Sequence, residues 1–247
     1  MSSSLLRGAG YLISGLRSLN RAELRGFVFA PLLINTLLFG AGIWWSSGQF
    51  ARLDQAVQGW LPAWLAWLAW LHGLLWLLFI FGALVVVFYT FTMVANLIGA
   101  PFNSLLAERA ARLEAPPTAA PPVAPADWKE LLLSPLAELN KLLYFVGWMV
   151  PLLLLSFVPG LNVATPLLWA LFSAWMLALE YADYPLGNRG LTPRQQRRLL
   201  RQHWPLALGF GGMTLLLTLV PLLNFLVMPA AVIGATLLWT REVPGGS

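Results

Sequence analysis

Charge is missing from most of this chain. Four stretches, Gly26–Ala51, Gln55–Ala107, Leu142–Leu179 and Gln202–Thr240, contain no Asp, Glu, Lys or Arg. They make up well over half of the 247 residues. A helix that crosses about 30 Å of hydrocarbon needs roughly 20 apolar residues, and each of the four stretches is long enough. Charged residues are only 10% of the chain, whereas soluble domains carry about 25%. A soluble fold of this size has no core large enough for so much apolar side chain, and disorder requires the opposite composition. Backbone within hydrocarbon must satisfy its own hydrogen bonds. The sequence therefore predicts an all-α integral membrane protein, organised as a single membrane domain over residues 1–247.

The first stretch fits one span, over residues 26–46. The second is too long for one. Its early half carries Trp60, Trp64, Trp67 and Trp70 on one helical face, and tryptophan favours the headgroup level. Residues 60–72 are thus expected to form a helix lying at the interface. The span proper then covers 74–98, broken by Gly99-Ala100-Pro101. The third and fourth stretches are punctuated in the middle, by Val158-Pro159-Gly160-Leu161-Asn162 and by Val220-Pro221-Leu222-Leu223-Asn224. The shared V-P-x-L-N pattern, with a later proline at Pro166 and Pro229, is a weak internal repeat of two helical hairpins, 142–179 and 202–240. Each leg has roughly 17 residues, or about 25 Å at about 1.5 Å per residue, short of a comfortable crossing. Full-span hairpins in a thin membrane compete with hemi-penetrating ones that return to the same side; the second reading is favoured. Turn backbone at membrane depth is costly, so the tips, with Asn162 and Asn224, are expected to be packed in protein or to line a wet cavity.

Basic residues cluster before Gly26, in a loop at 108–141, in a basic segment at 180–201 and at Arg241; among 15 Lys and Arg only Arg52 lies elsewhere. The positive-inside rule places that common face in the cytoplasm. The loop contains the proline-rich linker Ala115–Ala126, extended and without a core of its own. Met1–Gly26 has no short apolar core followed by a cleavage site, so the first apolar run is expected to direct insertion and remain in place.

Several chemistries are excluded. Cysteine is absent, which removes thiolate metal sites and cysteine nucleophiles. No metal-binding, nucleotide-binding or nucleophile–base motif is present, so no cofactor, no metal, no catalytic residue and no nucleic-acid partner is expected. His72 and His203 sit beside tryptophans and apolar runs, as interfacial anchors do. Proton-coupled carriers keep ionisable relays inside their spans; their absence here favours a passive path.

What remains is arginine. Arg17, Arg21 and Arg25 follow Gly15 at helical spacing, which predicts three guanidinium groups on one face. Glycine lets backbone approach an anion, and free amides at a helix start point toward it. Gly15, Leu16, Arg17, Ser18, Arg21 and Arg25 are therefore candidates for binding a tetrahedral oxyanion; anchoring to anionic lipid needs only the same charges. Thr192-Pro193 predicts the start of a second basic helix, with Arg194, Arg197, Arg198 and Arg201 on one face. Glu180 and Asp183 oppose the dipole at a helix end. They are expected to pair with nearby arginines, either structurally or as gating ion pairs.

Five segments together resemble the CysZ family of bacterial inner-membrane sulfate permeases: Gly15-Leu16-Arg17; Ala30-Pro31-Leu32-Leu33-Ile34-Asn35; Ala100-Pro101-Phe102-Asn103 with Leu106-Ala107-Glu108; Glu180-Tyr181-Ala182-Asp183-Tyr184-Pro185; and Val220-Pro221 through Asn224 to Met228-Pro229-Ala230-Ala231. The Ala115–Ala126 linker has no counterpart in the resemblance. The resemblance implies sulfate uptake for cysteine biosynthesis. It also implies an all-helical protomer with two long spanning helices and two hemi-penetrating hairpins, a homo-oligomer of two or more copies, and sulfate bound at Gly15, Leu16 and Arg17. Ser18, Arg21 and Arg25 join that site by helical spacing, and Asn35, Asn103, Asn162 and Asn224 are the candidate pore linings. The rivals are a non-transporting membrane scaffold, in which the arginines set topology, and a membrane-embedded lipid enzyme, which would need a titratable cluster.

Overall fold

A computed structural model describes residues 2–60, 69–114 and 128–243. Among these residues the structure is helical and contains no strand. The helices are α1 (Ser2–Ser18), α2 (Ala22–Trp60), α3 (Ala69–Glu114), α4 (Trp128–Ser156), α5 (Thr165–Gly187), α6 (Pro193–Gln202), α7 (Trp204–Thr218) and α8 (Pro221–Glu242). The Ala115–Ala126 linker and most of the expected interfacial helix, at 61–68, lie outside the described residues.

Two compact units are present. One comprises Met1–Val28 with Asn103–Ser247, the other Phe29–Phe102. The second unit consists of the long apolar portions of α2 and α3. Pro31 lies inside α2 and Pro101 inside α3. The break expected at Gly99-Ala100-Pro101 is therefore absent. A proline costs one backbone hydrogen bond, and a membrane helix can continue through that loss. Two described segments are long and apolar enough to cross a membrane, Ala22–Trp44 and Leu139–Ser156.

In the first unit α1 packs against α7 and α8, and α5 packs against the same two helices. The fully buried side chains include Leu12, Leu24, Leu106, Leu186, Phe210, Ile233 and Trp239. Glycine makes these approaches close. A Cβ added to Gly211 would lie 1.8 Å from the Ala174 carbonyl oxygen of α5, and one added to Gly15 would lie 2.1 Å from the Ala230 carbonyl oxygen of α8. Both helix pairs meet backbone to backbone, the packing that small residues allow in membranes.

Both V-P-x-L-N segments mark chain reversals. The first occupies an irregular tip over 157–164, where Gly160 has φ +85°. The second is tighter: Val220 caps α8, Pro221 opens it, and Asn224 already donates its amide to the Val220 carbonyl at 2.9 Å. The expected start of α6 is present with a full capping box. The Thr192 hydroxyl accepts from the Gln195 amide, and the Gln195 side chain accepts from the Thr192 amide at 2.8 Å.

Candidate functional site

The arginine-rich segment folds as an elbow between two helices. α1 ends at Ser18, the Arg21 amide donates to the Ser18 carbonyl at 3.0 Å, and α2 begins at Ala22. Arg17 and Arg25 thus stand on different helices, with Arg21 between them, and the single continuous face predicted from their spacing is not formed. Ser18 and Asn20 carry the signal for this interruption, because short polar side chains compete for backbone groups and favour helix ends.

Gly15 lies within α1, not ahead of a helix start. It is buried, and the space beside its Cα is filled by α8 backbone. Leu16 is half-buried and Ser18 is buried, while Arg17, Arg21 and Arg25 are exposed. The helix start in this segment belongs to α2, where the Leu24 and Arg25 amides already donate to the Arg21 carbonyl at 3.1 and 3.2 Å, so only the amides of Ala22 and Glu23 stand ahead of that bonding. Its first turn also holds Glu23, which complements the helix dipole and offsets part of the arginine charge.

Hydrogen bonds orient this elbow. Arg25 donates from Nε to the Asn20 carbonyl at 3.1 Å and from Nη2 to Asn20 Oδ1 at 3.0 Å. Glu114, at the end of α3, lies 3.9 Å from Arg21 and takes two hydrogen bonds from Arg241, at 2.9 and 2.7 Å. Beside it, Glu242 lies 3.4 Å from Arg7 and accepts from the Tyr11 hydroxyl at 3.0 Å. Burial pushes the Tyr11 phenol up, and the Glu242 hydrogen bond adds to this. Carboxylates from α3 and α8 thus meet the guanidinium groups of the N-terminal elements. No sequence pattern links positions so far apart.

The predicted gating acids sit elsewhere in the same unit. Asp183 accepts from Lys141 Nζ at 2.5 Å and from Gln196 Nε2 at 2.8 Å. Its charged partner is thus a lysine of α4, not a neighbouring arginine. The helix end also turns Arg189 away from it: Arg189 donates to Thr240 Oγ1 at 3.1 Å, and burial lowers its pKa. Glu180 is exposed one turn earlier.

The four asparagines occupy unlike places. Asn103 is buried, 6% exposed, and donates to the Tyr184 hydroxyl at 3.4 Å. Asn162 and Asn224 are exposed within this chain, so the packed or cavity-lining position expected for both tips is not made by this chain alone. Asn35 lies in α2, with its side chain outside the described residues. A pair that no sequence pattern marks, Ser104 and Asn188, exchanges hydrogen bonds of 2.7 and 2.8 Å between α3 and the end of α5. Among the described residues no group of three His, Asp or Glu could hold a metal ion. The chemistry on offer at the elbow is cationic, donor-rich and partly exposed, which suits an oxyanion.

A family model described as sulfate transporter CysZ/etoposide-induced protein 2.4 matches residues 11–229. Similar curated proteins carry the name sulfate transporter CysZ. The chain is 45% identical over 242 residues to the one from Pseudomonas paraeruginosa, covering 96% of each chain. It is 43% identical to the one from Pseudomonas aeruginosa strain LESB58, again over 96% of each. For the protein of Pectobacterium atrosepticum the figure is 39% over 240 residues, 94% of this chain and 84% of the relative.

Proposed function

Since this chain belongs to the sulfate transporter CysZ/etoposide-induced protein 2.4 family, we propose that it is a sulfate permease of the bacterial inner membrane that supplies cysteine biosynthesis. The observation that carries this reading is the near full-length similarity to proteins named sulfate transporters. The elbow at Arg17–Arg25 supplies a matching chemistry.

Sulfate is a dianion and cannot enter an apolar bundle unaccompanied. At the elbow it meets Arg17, Arg21 and Arg25, with the Ala22 and Glu23 amides at the start of α2 as further donors. Gly15 contributes through position: by letting α1 lie against α8, it fixes where Leu16, Arg17 and Ser18 stand. Glu114 holds Arg21 loosely at 3.9 Å, so the guanidinium can exchange a carboxylate for the arriving ion. A permeation site must also release what it binds, and this exposed setting keeps affinity low. Asn35, Asn103, Asn162 and Asn224 are the proposed polar points along the path. The exposed tips at Asn162 and Asn224 would be covered by further copies of the chain, as in a homo-oligomer. The Lys141–Asp183 pair, with Glu180 beside it, is the proposed gate.

The N-terminus and basic segments are assigned to the cytoplasm by the charge distribution. The second hairpin fits a hemi-penetrating course: the 15 residues of α7 reach about 22 Å at about 1.5 Å each. The test is radiolabelled sulfate uptake into liposomes containing the purified protein. Uptake down a sulfate gradient without ATP or a proton gradient is expected, with a loss of roughly tenfold or more in Arg17→Ala, the order for a charged hydrogen bond. No uptake above empty liposomes by correctly inserted protein would overturn the permease reading and leave the scaffold.

A further inference from the structure

A cavity of about 660 Å³ opens between α4, α5, α6 and α7, away from the arginine elbow. Its volume is that of a site for a molecule of several hundred daltons. Its lining changes character along its length. One end has Lys141, Glu180, Asp183 and Arg197; the other has Phe172, Leu215 and Trp169. Trp169 and Asp183 both belong to α5. Their separation in sequence corresponds to about 21 Å at about 1.5 Å per residue. The cavity is therefore long, polar at one end and apolar at the other.

The polar end coincides with the edge of the uncharged stretch that starts at Leu142. α6 joins it there, with Arg194, Arg197 and Arg201 at helical spacing along one face. Arg197 is held over the Tyr144 ring at 4.7 Å, and Trp175 Nε1 donates to the Tyr144 hydroxyl at 3.0 Å, fixing that ring. A guanidinium held by a cation–π contact keeps donors suited to a phosphate. Of the two carboxylates at this end, Asp183 is already occupied by Lys141 and Gln196, so its repulsion of an anion is reduced, and Glu180 is exposed to solvent, which screens its charge.

We propose that this cavity binds one phospholipid molecule, with its phosphate at Arg197 and one acyl chain lying along Met176 and Phe172 toward Trp169. The polarity gradient selects the occupant. A free oxyanion would leave the apolar end empty, and a chain without a phosphate would leave Arg197 unused. The inference does not rest on the sulfate reading, although the polar end of the cavity is lined by Lys141, Glu180 and Asp183, the residues of the proposed gate.

The full-length protein, stripped of co-purified lipid, is titrated with palmitoyl-oleoyl phosphatidylglycerol and examined by native mass spectrometry. One tightly held lipid per chain is expected. Ser173→Trp, which fills the cavity, should abolish it. Arg197→Gln should weaken it roughly tenfold, the order for a charged hydrogen bond, while Arg198→Gln on the exposed side leaves it unchanged. Glycerol 3-phosphate alone and palmitate alone should each bind far more weakly. Equal lipid retention in wild type and a folded Ser173→Trp variant would overturn the proposal. So would palmitate binding as tightly as the phospholipid, or unaltered lipid affinity in Arg197→Gln, a variant of a half-buried residue that tests the idea even where Ser173→Trp fails to fold.

Discussion

The two hairpins share the pattern V-P-x-L-N but not their construction. In the first, the third position is Gly160, whose φ of +85° sustains an irregular tip between α4 and α5. In the second it is Leu222, and the chain enters α8 directly at Pro221. The larger contrast is in burial. Not one residue of Leu139–Ser156 in α4 is buried, whereas Ala230 to Trp239 in α8 are almost completely enclosed. Glycine explains much of this. Gly211 and Gly234 face neighbouring backbone, whereas a Cβ on Gly147 of α4 would meet nothing within 4 Å. One punctuation mark in the sequence thus specifies a reversal. The residues flanking it decide whether the hairpin becomes core or remains at the periphery.

The most severe way to break the comparison is to add bulk at the two glycines. Gly211→Leu must force α7 off α5, at a cost above the about 1–3 kcal/mol typical of overpacking, and should abolish monodisperse folded protein in size-exclusion chromatography. Gly147→Leu should leave yield and thermal stability close to wild type. Equal behaviour of the two variants would remove glycine as the reason for the difference. Next in size is a tryptophan pair. Trp239 is 2% exposed and Trp148 is 52% exposed. Trp239→Ala should lose about 3–5 kcal/mol, and Trp148→Ala far less, as read from thermal unfolding in the same detergent.

A smaller effect belongs to the ends of the helices. Burial, followed by the charges of Glu180 and Tyr184, pushes the Tyr181 phenol up to about 12. The neutral phenol is the form that the fold favours. Its contribution is complete below the ordinary phenol value of about 10 and is lost as pH rises from there through about 12. Absorbance titration should show Tyr181 ionising late, together with unfolding, and Tyr181→Phe should remove that component. Smallest is Asp183→Asn: both partners of the Lys141 pair are about one-third exposed, so stability should fall by at most about 1 kcal/mol. A gating role would instead appear as altered sulfate flux at unchanged stability.

The helical class and the position of each reversal could be read from where charge stops and where proline stands. The start of α6 was legible in Thr192-Pro193 because capping is a local matter. The arginine elbow was only half legible. Periodicity placed Arg17, Arg21 and Arg25 on one helix, but Ser18 and Asn20 end α1 first. The packing role of Gly15 is hidden for a different reason: a missing Cβ serves an anion or a neighbouring helix equally well, and only the fold supplies the neighbour. The spacing of Gly8 and Gly15, two turns apart on α1, was the available clue to a helix-packing stripe. Contacts such as Glu114 with Arg241, or Asn103 with Tyr184, join residues far apart in the chain and leave no local pattern.

The packing of α1 has a consequence for biosynthesis. Its partners are α7 and α8, and Tyr11 reaches Glu242, 231 positions later. At about 5–20 residues per second, a ribosome makes α1 tens of seconds before it makes the surface that α1 must cover. During that interval the apolar face of α1 has only lipid to rest on. On the proposed topology, with the N-terminus in the cytoplasm, the arginines at its end would hold the nascent segment on that leaflet until the last helix arrives.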